Sequence, residues 1–372
     1  MKVGVTAEGL NRAGAGITTY SYNLIKELIH TGDCEPCLIE YADSGSFPEL
    51  PRMIVPNPLK KISNLYLWHP YLTKKLNDTG NQLDIVHSLN QGPSFFRLKK
   101  HKYVITIHDL LPLVHPGLRP FSVYLTYKAL LPRTLKHADM IISDSQSTKN
   151  DLIRIFGLPE EKIKVVHLGV DHSFRRACRE EIEAVRSKYR LDSPFVLYLG
   201  GLAVHKNVPT LIRSFSSVKE RNPDHKLVIT GTKRWGYAEV FKEIERSGLQ
   251  NDVIFLGYVP DSDLPALYSA ADVFVNPSIY EGFGLPTLEA MACGTPVVSS
   301  NTSSFPEVVG DAGIMVDPAR PDLIAEKINQ VLSDDGQKKR LVSMGTERAK
   351  RFTWKRCAQE TYEVYREVCS MK

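Results

Sequence analysis

Short apolar runs alternate with longer amphipathic stretches along almost the whole chain. The apolar runs are typical of buried strands, and in the stretches between them apolar residues recur every three or four positions, as on one face of a helix. The predicted strands are residues 3–6, 37–40, 85–87, 103–107, 140–143 and 164–167 in the first half, and 195–199, 226–230, 253–256, 273–275, 297–299 and 314–316 in the second. This alternation predicts an α/β fold of parallel sheets with helices on both faces.

The length of the chain predicts two domains. At 372 residues it is too long for one ordinary core. Amphipathic helices are predicted in both halves, for example at residues 17–29, 209–219 and 323–332. Residues 168–172, followed by the charged segment 175–183, are expected to form the linker between the domains.

The composition is that of an ordinary globular protein, with 42% hydrophobic and 24% charged residues. No apolar run approaches the roughly 18 residues of a membrane helix, and the N-terminal residues lack the apolar core of a secretory signal, so we expect a cytoplasmic protein. Cys34 and Cys37 are the one close pair among six cysteines. A single C-x-x-C pair is weak support for zinc, and we expect reduced thiols.

The net charge of +5 comes entirely from the first half of the chain. Residues 1–170 contain 20 Lys and Arg against 15 Asp and Glu. A basic face with aromatic residues suits the surface of an anionic membrane, and an ordinary solvated face is the alternative. No nucleic-acid-binding motif accompanies the charge, so nucleic acid is not an expected partner. The residues concerned are Lys60, Lys61, Lys74, Lys75, Lys99, Lys100 and Lys102, with Tyr66, Trp68 and Tyr71.

The most informative segment is residues 281–298, which read EGFGLPTLEAMACGTPVV. Pro286 suits the first position of a helix and Gly294 suits the position just after its end, so a short helix is expected to follow a glycine-rich loop. Glu281 then lies on the loop and Glu289 on the helix, with free amides of the helix N-terminus between them. Two carboxylates that bind hydroxyl groups beside an anion site fit a ribose, a diphosphate and a sugar.

Two segments of the first domain have candidate ligand-binding residues directly after a predicted strand. Gly14 and Gly16 lead from the first strand into a helix, where glycines let the backbone approach a phosphate; a plain tight turn is the alternative. His108 follows the strand at residues 103–107, at the edge where open α/β sheets bind ligands. Asp109 is expected to cap the turn that follows.

Lys206 follows the strand at residues 195–199 through Gly200 and Gly201. A cation there would stabilise the charge that develops on a leaving diphosphate. Residues 261–263, Asp-Ser-Asp, have the D-x-D form of some metal sites, but they precede a helical segment and suit helix capping. No metal site is therefore predicted.

The segment from Glu281 to Val298 resembles the E-x7-E motif of retaining glycosyltransferases of family GT4, and residues 108–110 resemble their HDL signature. The resemblance extends over essentially the whole chain, strongest at residues 255–317 and weakest at 33–81. It implies the GT-B fold, which has two facing Rossmann-like domains, an inter-domain cleft, and a last helix that crosses back to the first domain. The implied bounds are residues 1–170 for the acceptor-side domain, 171–353 for the nucleotide-sugar domain and 354–372 for the helix.

The resemblance also implies a role for each matching residue. His108, Glu281 and Lys206 are expected to be catalytic, with His108 beside the reacting carbon, Glu281 on the sugar hydroxyls and Lys206 on the diphosphate. Glu289 is expected to accept hydrogen bonds from the ribose. The family has a basic residue near the Gly201 position, and Lys233 or Arg234 is expected to compensate for its absence. The other expected donor-binding residues are Gly14, Gly16, Gly201, Phe283, Gly284, Leu285 and Thr287.

We therefore expect a retaining hexosyltransferase that moves a sugar from a nucleotide diphosphate sugar to a hydroxyl acceptor in glycan or glycolipid synthesis. The HDL signature favours GDP-mannose as donor, with UDP-sugars next. No cofactor or metal is expected, and the expected partners are the donor and a glycan or lipid-linked acceptor, with peripheral contact at the inner face of the membrane. Two alternatives remain: a GT-B-fold sugar-nucleotide epimerase and a non-catalytic sugar-nucleotide-binding homologue.

Overall fold

The computed structural model describes residues 1–7, 10, 16–56, 65–78, 83–90 and 97–371, with the backbone alone for residues 65–70. Two compact units make up the described chain. The first unit joins Met1–Gly169 to Trp354–Lys372, and the second unit is Val170–Thr353. None of the described helices is long and apolar enough to cross a lipid bilayer.

The first unit is built on a seven-stranded sheet in which every paired strand is parallel to its neighbour. Its strands are β1 (Lys2–Thr6), β2 (Glu35–Glu40), β3 (Arg52–Ile54), β4 (Ile85–Ser88), β5 (Lys102–Ile107), β6 (Met140–Ser143) and β7 (Ile163–Val165). The order across the sheet is β3-β2-β1-β4-β5-β6-β7. The order reverses between β1 and β4, which is where ligands bind in sheets of this kind.

Helices connect these strands, as a parallel sheet requires. Those of the first unit are α1 (Gly16–Thr31), α2 (Leu65–Asp78), α3 (Leu111–Val114), α4 (Phe121–His137) and α5 (Gln146–Phe156). Ser145 caps α5 by accepting a hydrogen bond from the Thr148 amide at 3.1 Å, and left-handed Gly157 ends it.

The last helix of the chain, α14 (Trp354–Ser370), belongs to the first unit. It packs against α1, β5 and β6. Its Tyr365 hydroxyl is hydrogen-bonded to His87 Nδ1 at 2.6 Å, and His87 Nε2 is bonded to the Thr106 hydroxyl at 2.9 Å. Burial lowers the pKa of His87 to about 3, with a further contribution from His108, so the ring is neutral. These buried bonds fix the helix to the central strands.

The second unit has a six-stranded parallel sheet in the order β10-β9-β8-β11-β12-β13. Its strands are β8 (Phe195–Leu199), β9 (Lys226–Thr230), β10 (Val253–Gly257), β11 (Val273–Asn276), β12 (Val297–Ser300) and β13 (Ile314–Val316). Its helices are α6 (Arg179–Tyr189), α7 (Val208–Arg221), α8 (Ala238–Arg246), α9 (Leu264–Ala270), α10 (Leu285–Ala292), α11 (Phe305–Val309), α12 (Pro321–Ser333) and α13 (Asp335–Ala349). Its core includes Leu211 and Phe215 of α7 with Ile324 and Ile328 of α12, all fully buried.

The predicted α/β fold with parallel sheets is confirmed, and each of the twelve predicted strands is present. The strand β3 was not predicted, because it is a three-residue edge strand that pairs with β2 alone and holds the charged Arg52. The prediction that the charged segment 175–183 belongs to the linker was wrong from Arg179 onward. From Arg179 onward it forms α6, whose first turn is fixed by the Glu181 carboxylate accepting from the Cys178 amide at 2.8 Å.

Candidate active site

The loops that follow four parallel strands gather the polar residues of the second unit at one edge of its sheet. Lys206 follows β8, Arg234 follows β9, Glu281 follows β11 and Ser303 follows β12. Carboxyl ends of parallel strands lie at the same edge, so residues far apart in sequence meet there.

Lys206 and Glu281 form an ion pair at this edge. Lys206 Nζ donates to Glu281 Oε1 at 2.5 Å, and Ser278 Oγ donates to the same oxygen at 2.7 Å. Burial would raise the pKa of Glu281, but the Lys206 ammonium and nearby His205 hold it below its usual value. Lys206 has three N–H donors and Glu281 has a second oxygen, so the pair keeps capacity to bind a ligand.

Two serines after β12 hold the loop that carries Glu281. Ser303 Oγ donates to the Glu281 carbonyl at 2.5 Å, and Ser304 Oγ donates to the Phe283 carbonyl at 2.9 Å. The Phe283 side chain is buried and its ring lies edge-on to Phe352, with 5.8 Å between ring centroids. Phe283 can therefore offer a ligand its backbone but not its side chain.

Gly284 ends this loop and starts the helix. Its φ is 97°, and a Cβ there would lie 3.2 Å from Phe305 Cε1, so a glycine is required. Because Gly284 is the N-cap, α10 begins at Leu285 and Pro286 takes the second helical position, where we had expected the first. Gly294 has a φ of 68° just after the helix, as its sequence position predicted.

Glu289 lies on α10 with one hydrogen-bond partner of its own. Tyr268 donates its hydroxyl proton to Glu289 Oε2 at 2.9 Å. Burial raises the pKa of Glu289 to about 7, the Tyr268 hydrogen bond opposes that rise, and Asp261 adds to it. At neutral pH this carboxyl is poised between acid and carboxylate. Hydroxyl donors from a ligand would favour the carboxylate.

The Thr287 side chain does not face a ligand. It is fully buried, and its hydroxyl accepts a hydrogen bond from Asn276 Nδ2 at 3.1 Å. The same Asn276 amide group lies 2.7 Å from Ser278 Oγ, the hydroxyl whose one proton goes to Glu281. Thr287 therefore connects α10 to the loop of Glu281 and supports the site from behind.

Gly201 lies in the turn after β8, beside the side chain of Arg234. A Cβ built on Gly201 would lie 3.0 Å from Arg234 Cγ. Lys233 is engaged elsewhere, since its amine lies 5.2 Å and 5.3 Å from the ring centroids of Tyr237 and Phe241. Of the two expected replacements for the missing cation, Arg234 is the one next to Gly201.

In the first unit, His108 is tied to internal partners through both ring nitrogens. Nδ1 lies 2.6 Å from Asp144 Oδ2 and Nε2 lies 2.8 Å from the Leu89 carbonyl oxygen, and both of those atoms accept. Burial alone would lower the pKa of His108, but Asp144 and the Leu89 carbonyl raise it above its usual value. His108 thus joins the ends of β4, β5 and β6, its partners favour the charged form of the ring, and it has no ring nitrogen left for proton transfer.

The other expected residues of the first unit are less informative. Gly14 lies outside the described residues, and Gly16 is the first residue of α1. Asp109 Oδ1 accepts from the Leu111 amide at 3.0 Å, so it orients the turn as predicted.

The Asp-Ser-Asp segment differs from its expected capping role. Asp263 takes the N-cap position of α9, but its carboxylate makes no capping bond and instead accepts from Lys188 and from the Tyr189 hydroxyl, each at 2.6 Å. That contact fixes α6 to the start of α9. Within the described ranges, no cluster of three or more His, Cys, Asp or Glu side chains is arranged to hold a metal ion.

Three residues of the site region were not identified from the sequence. Asp144 follows β6, Tyr268 lies on α9, and Ser303 lies in the run Asn-Thr-Ser-Ser after β12. The position of Asp144 and Ser303 directly beyond buried strands is a signal that could have identified both, since ligands and their supporting groups gather there. Tyr268 has no such signal, because only helix packing brings it to Glu289.

Comparison with known proteins gives matches over both units. The sequence signature of the family described as "Glycosyl transferases group 1" matches residues 180–348, and that of "Glycosyltransferase Family 4" matches residues 14–174. The Escherichia coli protein "O-antigen chain mannosyltransferase B" is 35% identical over 278 residues, which are 74% of this chain and 73% of that protein.

Two further matches extend this comparison. The Escherichia coli "Serotype-specific mannosyltransferase WbdA" is 31% identical over 68% of this chain, which spans 32% of that longer protein. Among solved structures, Anabaena Alr3699/HepE in complex with UDP and glucose superposes with a TM-score of 0.80 at 23% identity, covering 99% of this chain and all of that one. At this identity the structural match shows the shared GT-B fold.

Proposed function

This chain belongs to the family 4 glycosyltransferases, and from that premise we propose that it transfers mannose from GDP-mannose to a hydroxyl acceptor, with retention of configuration. UDP-sugars are the next donor class. The expected identification as a glycosyltransferase is confirmed by the family match and the relatives; the donor, the stereochemistry and the residue roles are the proposal.

One observation carries the proposal: an ion-paired Lys206 and Glu281 on one side of the start of α10, and Glu289 on the helix itself. Glu281 is ionised and suits the hydroxyl groups of a sugar. Glu289, whose pKa is raised to about 7, suits the two hydroxyls of a ribose, which would draw it to the carboxylate form. The helix start and Lys206 suit the diphosphate.

The proposed reaction follows from these contacts. The bond between the anomeric carbon and the diphosphate oxygen breaks, the acceptor hydroxyl oxygen bonds to the same face of that carbon, and its proton passes to the departing diphosphate. Lys206 stabilises the charge that develops on the leaving group. Glu281 and the amides of Phe283, Gly284 and Leu285 orient the sugar. No protein nucleophile takes part.

His108 keeps, in this proposal, the position beside the anomeric carbon that the family resemblance implies. Because both of its nitrogens are bound internally, it would act by its fixed positive charge and not by proton transfer. Gly14 and Gly16 would let the backbone approach the diphosphate, and Gly201 would leave space beside it.

Mannose is favoured because two relatives of at least 31% identity are mannosyltransferases by name. The structural neighbour crystallised with UDP and glucose has lower identity, 23%, and so says less about specificity. The test is a thermal-shift panel of GDP, UDP and ADP with their sugars, since a ligand that binds only the native state raises its melting temperature. GDP-mannose should give the largest shift. A larger shift with a UDP-sugar would overturn the donor, and no shift with any nucleotide would overturn the site.

The stereochemistry has a separate test. An NMR measurement of the anomeric coupling in the first product, made with a simple mannoside acceptor, should show the α configuration of the donor. A β-linked product would overturn retention. If the donor changed its own configuration without acceptor, the epimerase alternative would replace the transferase mechanism.

We further propose that the acceptor is presented at an anionic membrane surface and that the basic first unit contacts it. Lys74 and Lys75 are exposed on α2, and the Lys75 amine lies 5.7 Å from the centroid of the Tyr71 ring. The lysines at positions 60 and 61 lie outside the described residues. Each basic residue near the surface would contribute about 1 kcal/mol, screened by salt.

The helix α4 supports the same proposal independently. Phe121 and Leu125 are exposed by 67% and 48%, and the Lys128 amine lies 5.5 Å from the ring centroid of Tyr124. Residues 110–138 contain four basic residues and no acidic ones. Exposed apolar side chains flanked by cations are typical of a helix that rests on an anionic membrane.

Liposome flotation tests the membrane contact. Anionic vesicles should recover the protein at low salt and lose it at high salt, and neutral vesicles should not recover it. Changing Lys60, Lys61, Lys74 and Lys75 together to Glu should abolish recovery while donor binding persists. Equal recovery with both vesicle types, or none, would leave these lysines as a solvated face and indicate an acceptor in solution.

A further inference from the structure

We propose that the Arg234 guanidinium binds the donor diphosphate together with Lys206, and that Gly201 has no side chain so that Arg234 can reach it. The inference rests on the proposed function, because it concerns the same donor. It assigns a binding residue from a loop outside the E-x7-E segment.

The loop of Arg234 is packed directly on the loop that leads to Lys206. The Gly200 amide donates to the Thr230 carbonyl at 3.0 Å, and the Leu202 amide donates to the Thr232 carbonyl at 2.9 Å. A Cβ on Gly231 would lie only 2.0 Å from the Gly200 carbonyl oxygen, so the two backbones are in contact. Arg234 is therefore anchored at the β8 loop that ends at Lys206.

The space at Gly201 is occupied by Arg234. A Cβ on Gly201 would meet Arg234 Cγ at 3.0 Å and Nε at 3.6 Å. Gly201 does not have a positive φ, so the turn itself would accept other residues. A side chain at position 201 would therefore compete with Arg234 for the same space, and the arginine would have to shift to admit it.

The charge of the site calls for a second cation. A diphosphate brings at least two negative charges, whereas the one ammonium of Lys206 is already paired with Glu281. Lys233 lies over aromatic rings, as described above. Arg234 is exposed, and in the described part of the chain no carboxylate forms an ion pair with it. Its planar, permanently charged group can bind two phosphate oxygens at once.

The test compares the affinities of variants for GDP, UDP and the corresponding nucleosides by calorimetry. Arg234→Ala should weaken binding of the diphosphates by about tenfold to a hundredfold, the usual effect of losing a hydrogen bond to a charged group. It should leave nucleoside affinity and melting temperature unchanged. Lys233→Ala is the matched control, because it removes the neighbouring cation and should leave diphosphate affinity within about twofold.

A second variant tests the exchange of positions. Gly201→Arg in the Arg234→Ala background should recover most of the lost diphosphate affinity, because the new guanidinium enters the vacated space. Gly201→Arg alone should not raise affinity, since Arg234 occupies that space.

The outcomes separate this inference from the proposed function. Equal diphosphate affinities for the unchanged protein and Arg234→Ala would overturn the inference alone. An equal loss of nucleoside and diphosphate affinity, or a lower melting temperature, would make Arg234 a support of the loop and would also overturn it. Failure of the unchanged protein to bind either GDP or UDP would overturn the proposed function and the inference together.

Discussion

The two sheets have similar strand orders, but the ionisable groups near their carboxyl edges have different kinds of partner. In the second unit, Lys206 and Glu281 pair with each other and keep unused bonding capacity. In the first unit, both ring nitrogens of His108 are bonded to Asp144 and Leu89, and within β4 both ring nitrogens of His87 are bonded to Tyr365 and Thr106. The comparison teaches that a strand end marks where chemistry can be placed, and that the partners of each group decide whether it serves a ligand or the fold.

Glu281 and Glu289 show the same dependence on local partners within one segment of the second unit. They are eight positions apart, yet neighbouring cations hold the pKa of Glu281 below its usual value while burial raises that of Glu289 to about 7. Glu281 is therefore ionised at neutral pH, whereas Glu289 is poised between its two states and in the proposed complex would become a carboxylate.

The largest effect is expected for Lys206→Ala, which tests whether the edge of the second sheet serves the reaction. We expect kcat to fall about 10²–10³-fold, since the charge on the leaving diphosphate loses its nearest cation. The control is Lys226→Ala at the amino end of β9, which breaks an ion pair with Asp252 on the opposite edge and should leave turnover nearly unchanged. Turnover of radiolabelled donor measures both. An unchanged kcat in Lys206→Ala would contradict the proposed role of Lys206 on the leaving diphosphate.

Glu289→Ala sharpens the assignment of the ribose. We expect nucleotide affinity to weaken by roughly 1.5–3 kcal/mol, the range for hydrogen bonds to charged groups, while the fold survives. Calorimetry with bare GDP and UDP measures it, with Glu326→Ala as the matched control, because the Glu326 side chain is exposed on the outer face of α12. Unchanged affinity would sink the assignment of Glu289 to the ribose.

His108→Gln tests the other edge. Removing the charged ring leaves Asp144 buried without its partner, so we expect the free energy of unfolding to fall by about 1–3 kcal/mol. Affinity for bare GDP should hardly change. Urea denaturation measures the loss, with His137→Gln at the end of α4 as control. A variant of full stability would contradict the stabilising role, and loss of turnover in such a variant would leave His108 only the proposed role beside the anomeric carbon.

The raised pKa of Glu289 predicts a pH dependence of binding. In the free protein the carboxyl keeps its proton up to about pH 7, whereas ribose hydroxyls would favour the carboxylate, so binding should release a proton. Nucleotide affinity should rise by about tenfold from pH 6 to 8 and level off above that. Titrations in two buffers of different ionisation enthalpy detect the proton, and Glu289→Gln should abolish the slope. Proton uptake on binding would contradict the prediction.

The raised pKa of Glu289 also predicts that the stability of the free protein falls as pH rises, whereas nucleotide affinity rises. A carboxyl whose folded pKa is raised stabilises the fold fully below its unfolded pKa and loses that contribution as pH rises through about 7. His87, with a pKa lowered to about 3, does the opposite and costs stability as pH falls from about 6.5.

The smallest expected effect is that of metal removal. Lys206, a helix N-terminus and Arg234 meet the phosphate charge in the proposed site, so turnover should persist in excess EDTA. Loss of turnover that manganese restores would direct attention back to residues 261–263.

Much of the fold and part of the site followed from the sequence. Apolar runs predicted twelve strands, and Gly294 marked the end of α10 because only glycine takes left-handed φ at no steric cost. The short edge strand β3 did not follow, since three residues containing Arg52 give no periodic signal. The burial of the Thr287 side chain against Asn276 did not follow either, because it is a property of packing.

The sequence by itself determined what depends on neighbours along the chain: the strands and helices, the turns that glycine and proline enforce, and the spacing of Glu281 and Glu289. Only the tertiary structure decided what depends on partners in space. Lys206 meets Glu281 across 75 positions, His108 meets Asp144 across 36, and His87 meets Tyr365 across 278. The protonation state of each group is set by charges and burial within a few ångströms, and no local pattern encodes those distances.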